Sequence, residues 1–366
     1  MLAFEREGVV SYISQFLDSA TTTFVGRSND SSIPAYCDRT NNFIALSARY
    51  IGFLVVYAAS VPYFAKLDHV AREKSSFSST LSAARQDFDR LLAHYFDGTL
   101  KEILDSPFLK EATGEFVAGN LMLASTSESW MIAHEYGHLI SKRRSTKLRT
   151  ATDPLMRSLV DLPPLQNEYA RWNEKWREEL SCDFLACQYL LRGADPALSS
   201  PDSYAHLMSA LQSPLVALTC ADTLGGPTGG QGDDSHPPTL LRIVILVFVI
   251  IRRYGEPLLH NGILGRTPGA GADEINIHYF CATLLEYATW ILGDQESLVR
   301  RFPGVEDSMS LSVATEYRYK RTYELLVELS LGEIADDYLK DCEYWLSVGY
   351  VDPTTGGPSD SLTAAG

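Results

Sequence analysis

The sequence predicts a mainly α fold with a little β structure, an α+β arrangement of central helices, a small edge sheet and flanking helical regions. Three observations carry this expectation. Apolar residues recur three and four apart in Ser79 to Tyr95, Ser125 to Arg144, Gln166 to Arg192, Ile277 to Leu292 and Leu311 to Leu346, the period of helices with a buried face. Strand signals are confined to Asn42 to Tyr57, where β-branched and aromatic residues suffice for one or two strands and the second half reads equally well as a buried helix. Glycine, proline and small polar residues collect at Asp222 to Ser235, at Gly262 to Ala272 and after Gly349, which marks two mobile loops and a flexible tail.

These boundaries divide the chain into an N-terminal, mostly helical region (1–120) that holds the edge strand, a core (121–260), a C-terminal helical region (261–348) and a tail (349–366). Hydrophobic residues make up 45% of it, enough for sizeable cores and too many for a disordered protein. The net charge of −15 repels phosphate backbones and anionic headgroups, so nucleic acid is not expected as a partner. Tyr50 to Phe64 and Leu240 to Ile251 fall short of the roughly 20 apolar residues a bilayer requires, so both are expected as core elements and no integral membrane span is predicted. The first residues lack a basic stretch followed by an apolar one, which argues against a secretory signal. Six scattered cysteines without a CxxC spacing read as reduced thiols of a cytoplasmic protein.

The chemistry concentrates in His134-Glu135-Tyr136-Gly137-His138, an HExxH pattern. On a helix, positions i and i+4 project from one face, so the two imidazoles can meet a single zinc ion. Glu135 lies about 100° round the same helix, placed to take a proton from metal-activated water and pass it to a leaving amine. Local signals favour the helix. Ser125 to Glu128 reads as a capping box, Trp130, Ala133, Gly137 and Ile140 as a core-facing stripe, and Lys142, Arg143 and Arg144 as cations suited to a C-terminal dipole. Gly137 costs the helix about 1 kcal/mol relative to alanine, which predicts that another backbone comes close there. Eight histidines in the chain make an accidental HExxH a roughly one-in-a-hundred event, so a third ligand is needed.

The longer HExxHxxGxxH pattern is excluded, because Ser141 and Arg144 stand at its last two fixed positions. A glutamate from a second helix remains. Gln166 to Arg192, closed by Gly193, is expected to form one continuous helix, and within it Glu179 and Asp183 are one turn apart. Asp183 sits in an apolar run, LSCDFLACQYLL, where an unpaired carboxylate is costly. Glu179 is the expected third ligand, with Asp183 bracing a ligand histidine through its other ring nitrogen. Glu178 is the alternative ligand, lacking an aspartate one turn on. Cys182 is expected to be buried rather than on the metal, and His69, His94, His206, His260 and His278 to be structural.

Taken together, HExxH followed by ExxxD resembles the gluzincin metallopeptidases. Asp234-Ser235-His236-Pro237-Pro238-Thr239-Leu240-Leu241-Arg242-Ile243 is similar to the HPPxxxRI element of the CAAX prenyl protease and heat-shock membrane protease lineage. The resemblance spans Ser125 to about Ile245 and points to soluble relatives of that lineage. It implies a zincin-like core, with His236 steadying an oxyanion and Arg242 ordering the site. It also implies that Asn42 to Ile51 is the strand that lies along the substrate.

The expected function is therefore that of a zinc-dependent endopeptidase acting on a protein or peptide. His134, His138 and Glu179 would bind one Zn²⁺, Glu135 would be general base and His236 the oxyanion donor. Two other readings stay open at this stage. One is a helical regulatory or binding module whose metal is structural or absent. The other, suggested by the large unmatched flanks, is a narrowly targeted regulatory protease of a stress or phage response.

Overall fold

The computed structural model describes residues 23–28, 34–59, 117–141, 146–192, 201–224 and 236–250, with further positions at 9, 12, 86–88, 90, 93, 110, 253–254, 327 and 336. The fold is mainly α with a small sheet, as the sequence predicts. Strands β1 (Phe24–Ser28), β2 (Ala35–Asp38) and β3 (Phe43–Ser47) are followed by helix α1 over residues 48–59. Helices α2 (Val117–Ser141), α3 (Thr146–Val160), α4 (Pro163–Arg171), α5 (Glu174–Leu191), α6 (Pro201–Leu224) and α7 (Thr239–Ile250) complete the described elements. The predicted helices at 277–292 and 311–346, the loop at 262–272 and the tail lie outside the described residues, except positions 327 and 336, which are helical.

The sheet has the order β1-β3-β2, with β3 parallel to β1 and antiparallel to β2. Between β2 and β3 the chain turns tightly. Asp38 Oδ1 accepts from the backbone N–H of Thr40 at 2.8 Å and of Asn41 at 3.1 Å, and Asn42 takes a φ of 53°, a conformation asparagine tolerates. Asn42 to Tyr57 thus supplies one strand and then a helix. Tyr50, Phe53, Leu54 and Tyr57 form the buried stripe of α1, and Tyr50 Oη donates to the carbonyl of Ala217 in α6 at 3.2 Å.

Helix α2 starts at Val117, well before the predicted capping box, so Ser125 to Glu128 lie inside it. The helix-forming run Leu121 to Ala124 carries the helix through, and the hydroxyls bond within it instead of capping it. Ser127 Oγ donates to Leu123 O at 2.7 Å, and Thr126 Oγ1 donates to the same carbonyl while accepting from Ser213 Oγ of α6 at 2.8 Å. Lys142 to Arg144 lie outside the described residues.

The predicted continuous helix over 166–192 is two helices. Trp172 is extended, and Asn173 caps α5 by accepting from the Trp176 N–H at 2.9 Å. A capping asparagine offers the backbone an alternative to continuing the helix. Trp172 is buried against Trp176, their rings edge to face at 5.5 Å. Helices α3 and α6 were not expected from periodicity, since each carries an internal proline, Pro154 and Pro214, of the kind that ordinarily breaks a helix. Helix α7 follows Pro237 and Pro238, whose carbonyl accepts from the Arg242 N–H at 3.1 Å, and its apolar run is buried. Among the described residues no helix is long and apolar enough to cross a membrane.

Helices α2 and α5 pack face to face, α6 lies against both, and β2 and β3 cover another side of α2. Gly137 lets the two central helices approach. A Cβ there would stand 2.7 Å from Cys182 Sγ and 2.9 Å from Cys182 Cα, so the predicted close backbone is that of α5. Cys37, Cys182, Cys187 and Cys220 are free thiols, the last three buried.

Gly137→Ala is expected to destabilise the chain by about 1–3 kcal/mol in denaturant unfolding, because overpacking against α5 outweighs the helix propensity gained. Gly52→Ala in α1, with nothing within 4 Å of its Cβ position, is expected to stabilise by about 0.5–1 kcal/mol in the same measurement.

Candidate metal centre

The site is built by the register of α2 and α5. Trp130, His134 and His138 step up α2 four residues at a time, and each meets a residue four lower on α5: Cys187, Asp183 and Glu179. Trp130 Nε1 donates to Cys187 Sγ at 3.3 Å, and the Trp130 ring stacks on the His134 imidazole at 5.5 Å, closing the inner end of the row. Both strips follow from the i, i+4 geometry of helices, and their antiparallel pairing sets the polar groups opposite one another.

His134 Nε2 is 3.4 Å from Glu179 Oε2, and His138 Nε2 is 3.2 Å from Glu179 Oε1. Ligands bonded at about 2.0–2.2 Å in a tetrahedron stand about 3.3–3.6 Å apart, and each imidazole lies close to that distance from one of the two Glu179 oxygens. His134 and Glu179 are buried and His138 nearly so, and the three residues can hold a metal ion. Glu179 Oε2 is a buried oxygen with no hydrogen-bond partner, an arrangement that a cation would satisfy. Burial opposes its charge, yet His134, His138 and Arg242 lower its pKa well below the usual carboxylate range. Burial also opposes protonation of His134, but Asp183 and Glu179 raise its proton affinity, so a metal competes with protons for that imidazole.

Asp183 is fully buried, as its apolar surroundings in the sequence suggest, and it is paired. Arg242 of α7 grips it with both arms, Nε to Oδ2 at 2.9 Å and Nη2 to Oδ1 at 2.6 Å. Asp183 Oδ1 also lies 2.8 Å from His134 Nδ1, an ion-pair distance off the line of a hydrogen bond. Burial acts against the Asp183 charge, but Arg242 first and then His134 hold its pKa below the ordinary value. Arg242 Nη2 reaches Glu179 Oε2 at 3.5 Å, so one guanidinium serves both acids.

Glu178, the alternative ligand, is not one of the three residues that could hold the metal and meets the other ring nitrogen of His138 instead. Its Oε1 lies 3.2 Å from His138 Nδ1, accepts from Ser141 Oγ at 2.5 Å and pairs with Arg39. The hydrogen bond with His138, opposed by burial and aided by Ser141 and Arg39, takes its carboxyl to about 2. Cys182 is buried as expected, its Sγ 3.5 Å from His138 Nδ1, and burial pushes its thiol up to about 11. Sequence reasoning missed Arg39 and Ser141. Arg39 lies 99 residues from His138 and 139 from Glu178, with no spacing to connect them.

Glu135 is buried in α2, and its charge helps raise the thiol pKa of Cys37 on β2, after burial itself. His236 is largely exposed just ahead of α7, with Nε2 3.6 Å from Glu179 Oε1. A single stretch, 236–242, therefore delivers both His236 and Arg242 to the cluster. Asn42 to Ile51, expected to lie along a substrate, instead forms the central strand and the start of α1. Its backbone is paired on both sides. The outer strand packed against α2 is β2, and Arg39 follows it directly.

Arg242→Met is expected to cost about 3–5 kcal/mol in denaturant unfolding, because it strands a buried carboxylate. The pH dependence has a definite sign. Asp183 has a folded pKa below its unfolded value of about 3.9, so its contribution is complete above that value and is lost as pH falls through the folded one. Without the guanidinium the folded pKa rises, and acid unfolding followed by circular dichroism should begin at higher pH in the variant.

No family model, curated protein or solved structure matches the chain.

Proposed function

We propose that the chain is a zinc-dependent endopeptidase, a relative of the gluzincins. The observation that carries the reading is the convergence of His134, His138 and Glu179 into a group that could hold one metal ion, with Glu135 next to His134 on the same helix. Two imidazoles and one carboxylate form a three-ligand set of the kind that catalytic zinc sites use, whereas structural zinc sites almost always close with four protein ligands. Zinc bound there supplies a Lewis acid that polarises a carbonyl and lowers the pKa of water to about 7.

The chain's own groups do the rest. Glu135, shielded from bulk water by burial, takes the proton of the attacking water and returns it to the leaving amine. His236, exposed at the rim, donates a hydrogen bond to the developing oxyanion, a kind of contact worth about 2.7–4 kcal/mol in the transition state. Asp183 turns the His134 ring, and Arg242 keeps Asp183 ionised while steadying Glu179. A protein or peptide is the substrate, and the negative charge of the chain favours neutral or basic ones. The free thiols at Cys37, Cys182, Cys187 and Cys220 fit a reducing, cytoplasmic setting.

Glu135→Gln should keep the wild-type zinc content, measured by elemental analysis, and lose at least about 100-fold in cleavage of a peptide library. Cleavage at the wild-type rate would overturn the mechanism. Removing the metal with a chelator should abolish cleavage, and adding zinc back should restore it. A purified chain that takes up no zinc would favour the regulatory module instead.

A further inference from the structure

Behind the site, three side chains crowd one nitrogen. His138 Nδ1 has Glu178 Oε1 at 3.2 Å, Arg39 Nη2 at 3.2 Å and Cys182 Sγ at 3.5 Å. These contacts conflict. A guanidinium only donates, an ionised carboxylate only accepts, and Nδ1 of a neutral imidazole does one or the other. If Nδ1 accepts from Arg39, the ring proton sits on Nε2, the atom turned toward Glu179, and no lone pair is left there for a metal. If Nδ1 donates to Glu178, Nε2 is free to ligate. Cys182 is a weak hydrogen-bonding group and cannot take the place of the carboxylate.

We propose that Glu178 is a positioning residue that fixes the proton of His138 on Nδ1, and that its pairing with Arg39 keeps this arginine from capturing the same nitrogen. The inference rests on the reading of His134, His138 and Glu179 as metal ligands. It goes further by making one ligand's availability depend on a contact between the turn after β2 and helix α5. Ser141, from the end of α2, donates to the same Glu178 Oε1 that meets Arg39 and His138, a third contact that holds this oxygen in place. The two ligand histidines then have matching supports, Asp183 with Arg242 for His134 and Glu178 with Arg39 for His138.

The test is the zinc affinity of the full chain, measured by competition with a chromophoric chelator for wild type, Glu178→Ala, Arg39→Met and the double variant. Glu178→Ala should bind zinc about 10- to 100-fold more weakly, the usual effect of losing such a partner. Arg39→Met should lose less. The double variant should bind more tightly than Glu178→Ala alone, because the competing donor is gone. A Glu178→Ala chain with wild-type affinity, or a double variant weaker than Glu178→Ala, would overturn the proposal. Long-range ¹H–¹⁵N NMR of the zinc-loaded wild type gives a second readout that needs no variant to fold. A proton on His138 Nδ1 is expected, and zinc on Nδ1 would overturn the inference. If the wild type itself takes up no zinc, the metal-site reading falls and this inference with it. Tight wild-type binding beside an unaffected Glu178→Ala removes only the inference.

Discussion

The close antiparallel packing of α2 on α5 is the constraint on which the remaining structure depends. Side chains four apart on one helix meet side chains four apart on the other, so one register places Trp130 on Cys187, His134 on Asp183 and His138 on Glu179. That register requires the helices to come closer than a methyl group permits at Gly137, where Cys182 fills the space. The glycine is unfavourable to α2 taken alone and necessary to the pair. Local propensity is given up there for tertiary geometry, as happens where a protein builds a site.

Burying Glu179, Asp183 and Arg242 together follows from the same packing. None of them is tolerable alone in an interior of this kind, since an unpaired charge away from water is strongly unfavourable. As a group they satisfy one another: Arg242 neutralises Asp183 and approaches Glu179, while the imidazoles face both acids. Two buried atoms of the cluster, Glu179 Oε2 and His134 Nδ1, have no hydrogen-bond partner, although Asp183 Oδ1 stands 2.8 Å from the nitrogen. A buried polar cluster of this kind has the form of a set that could hold a metal ion, and binding one would offset part of its cost in folding.

The sheet contributes through its turn rather than its strands. Asp38 organises the chain after β2, and Arg39 leaves that turn toward Glu178 and His138. A short β element thereby reaches the centre of a helical protein. Through Arg39 the turn meets Glu178 and the Nδ1 side of the His138 ring.

Much of the centre was legible from residue spacing. HExxH predicts a shared face only if the segment is helical, and helical periodicity supplied that condition independently. The lone acid in LSCDFLACQYLL announced a buried, paired Asp183, and Gly137 announced a neighbouring backbone. Spacing alone misplaced the ends of elements. The capping signature at Ser125 lost to the helix-forming residues ahead of it, and Asn173 interrupted what periodicity read as one helix. Pro154 and Pro214 concealed α3 and α6.

By itself, then, the sequence determined which side chains share a helix face, because that depends only on backbone periodicity within one segment. It could not determine that α5 presents Glu179 to the histidines while Glu178 turns to His138 Nδ1, or that Arg39 meets both. Those outcomes depend on the crossing of separate elements, and residues 99 and 139 positions apart leave no local pattern to read. Only the tertiary packing, set by the space Gly137 leaves for Cys182 and by the burial of the surrounding core, decided them.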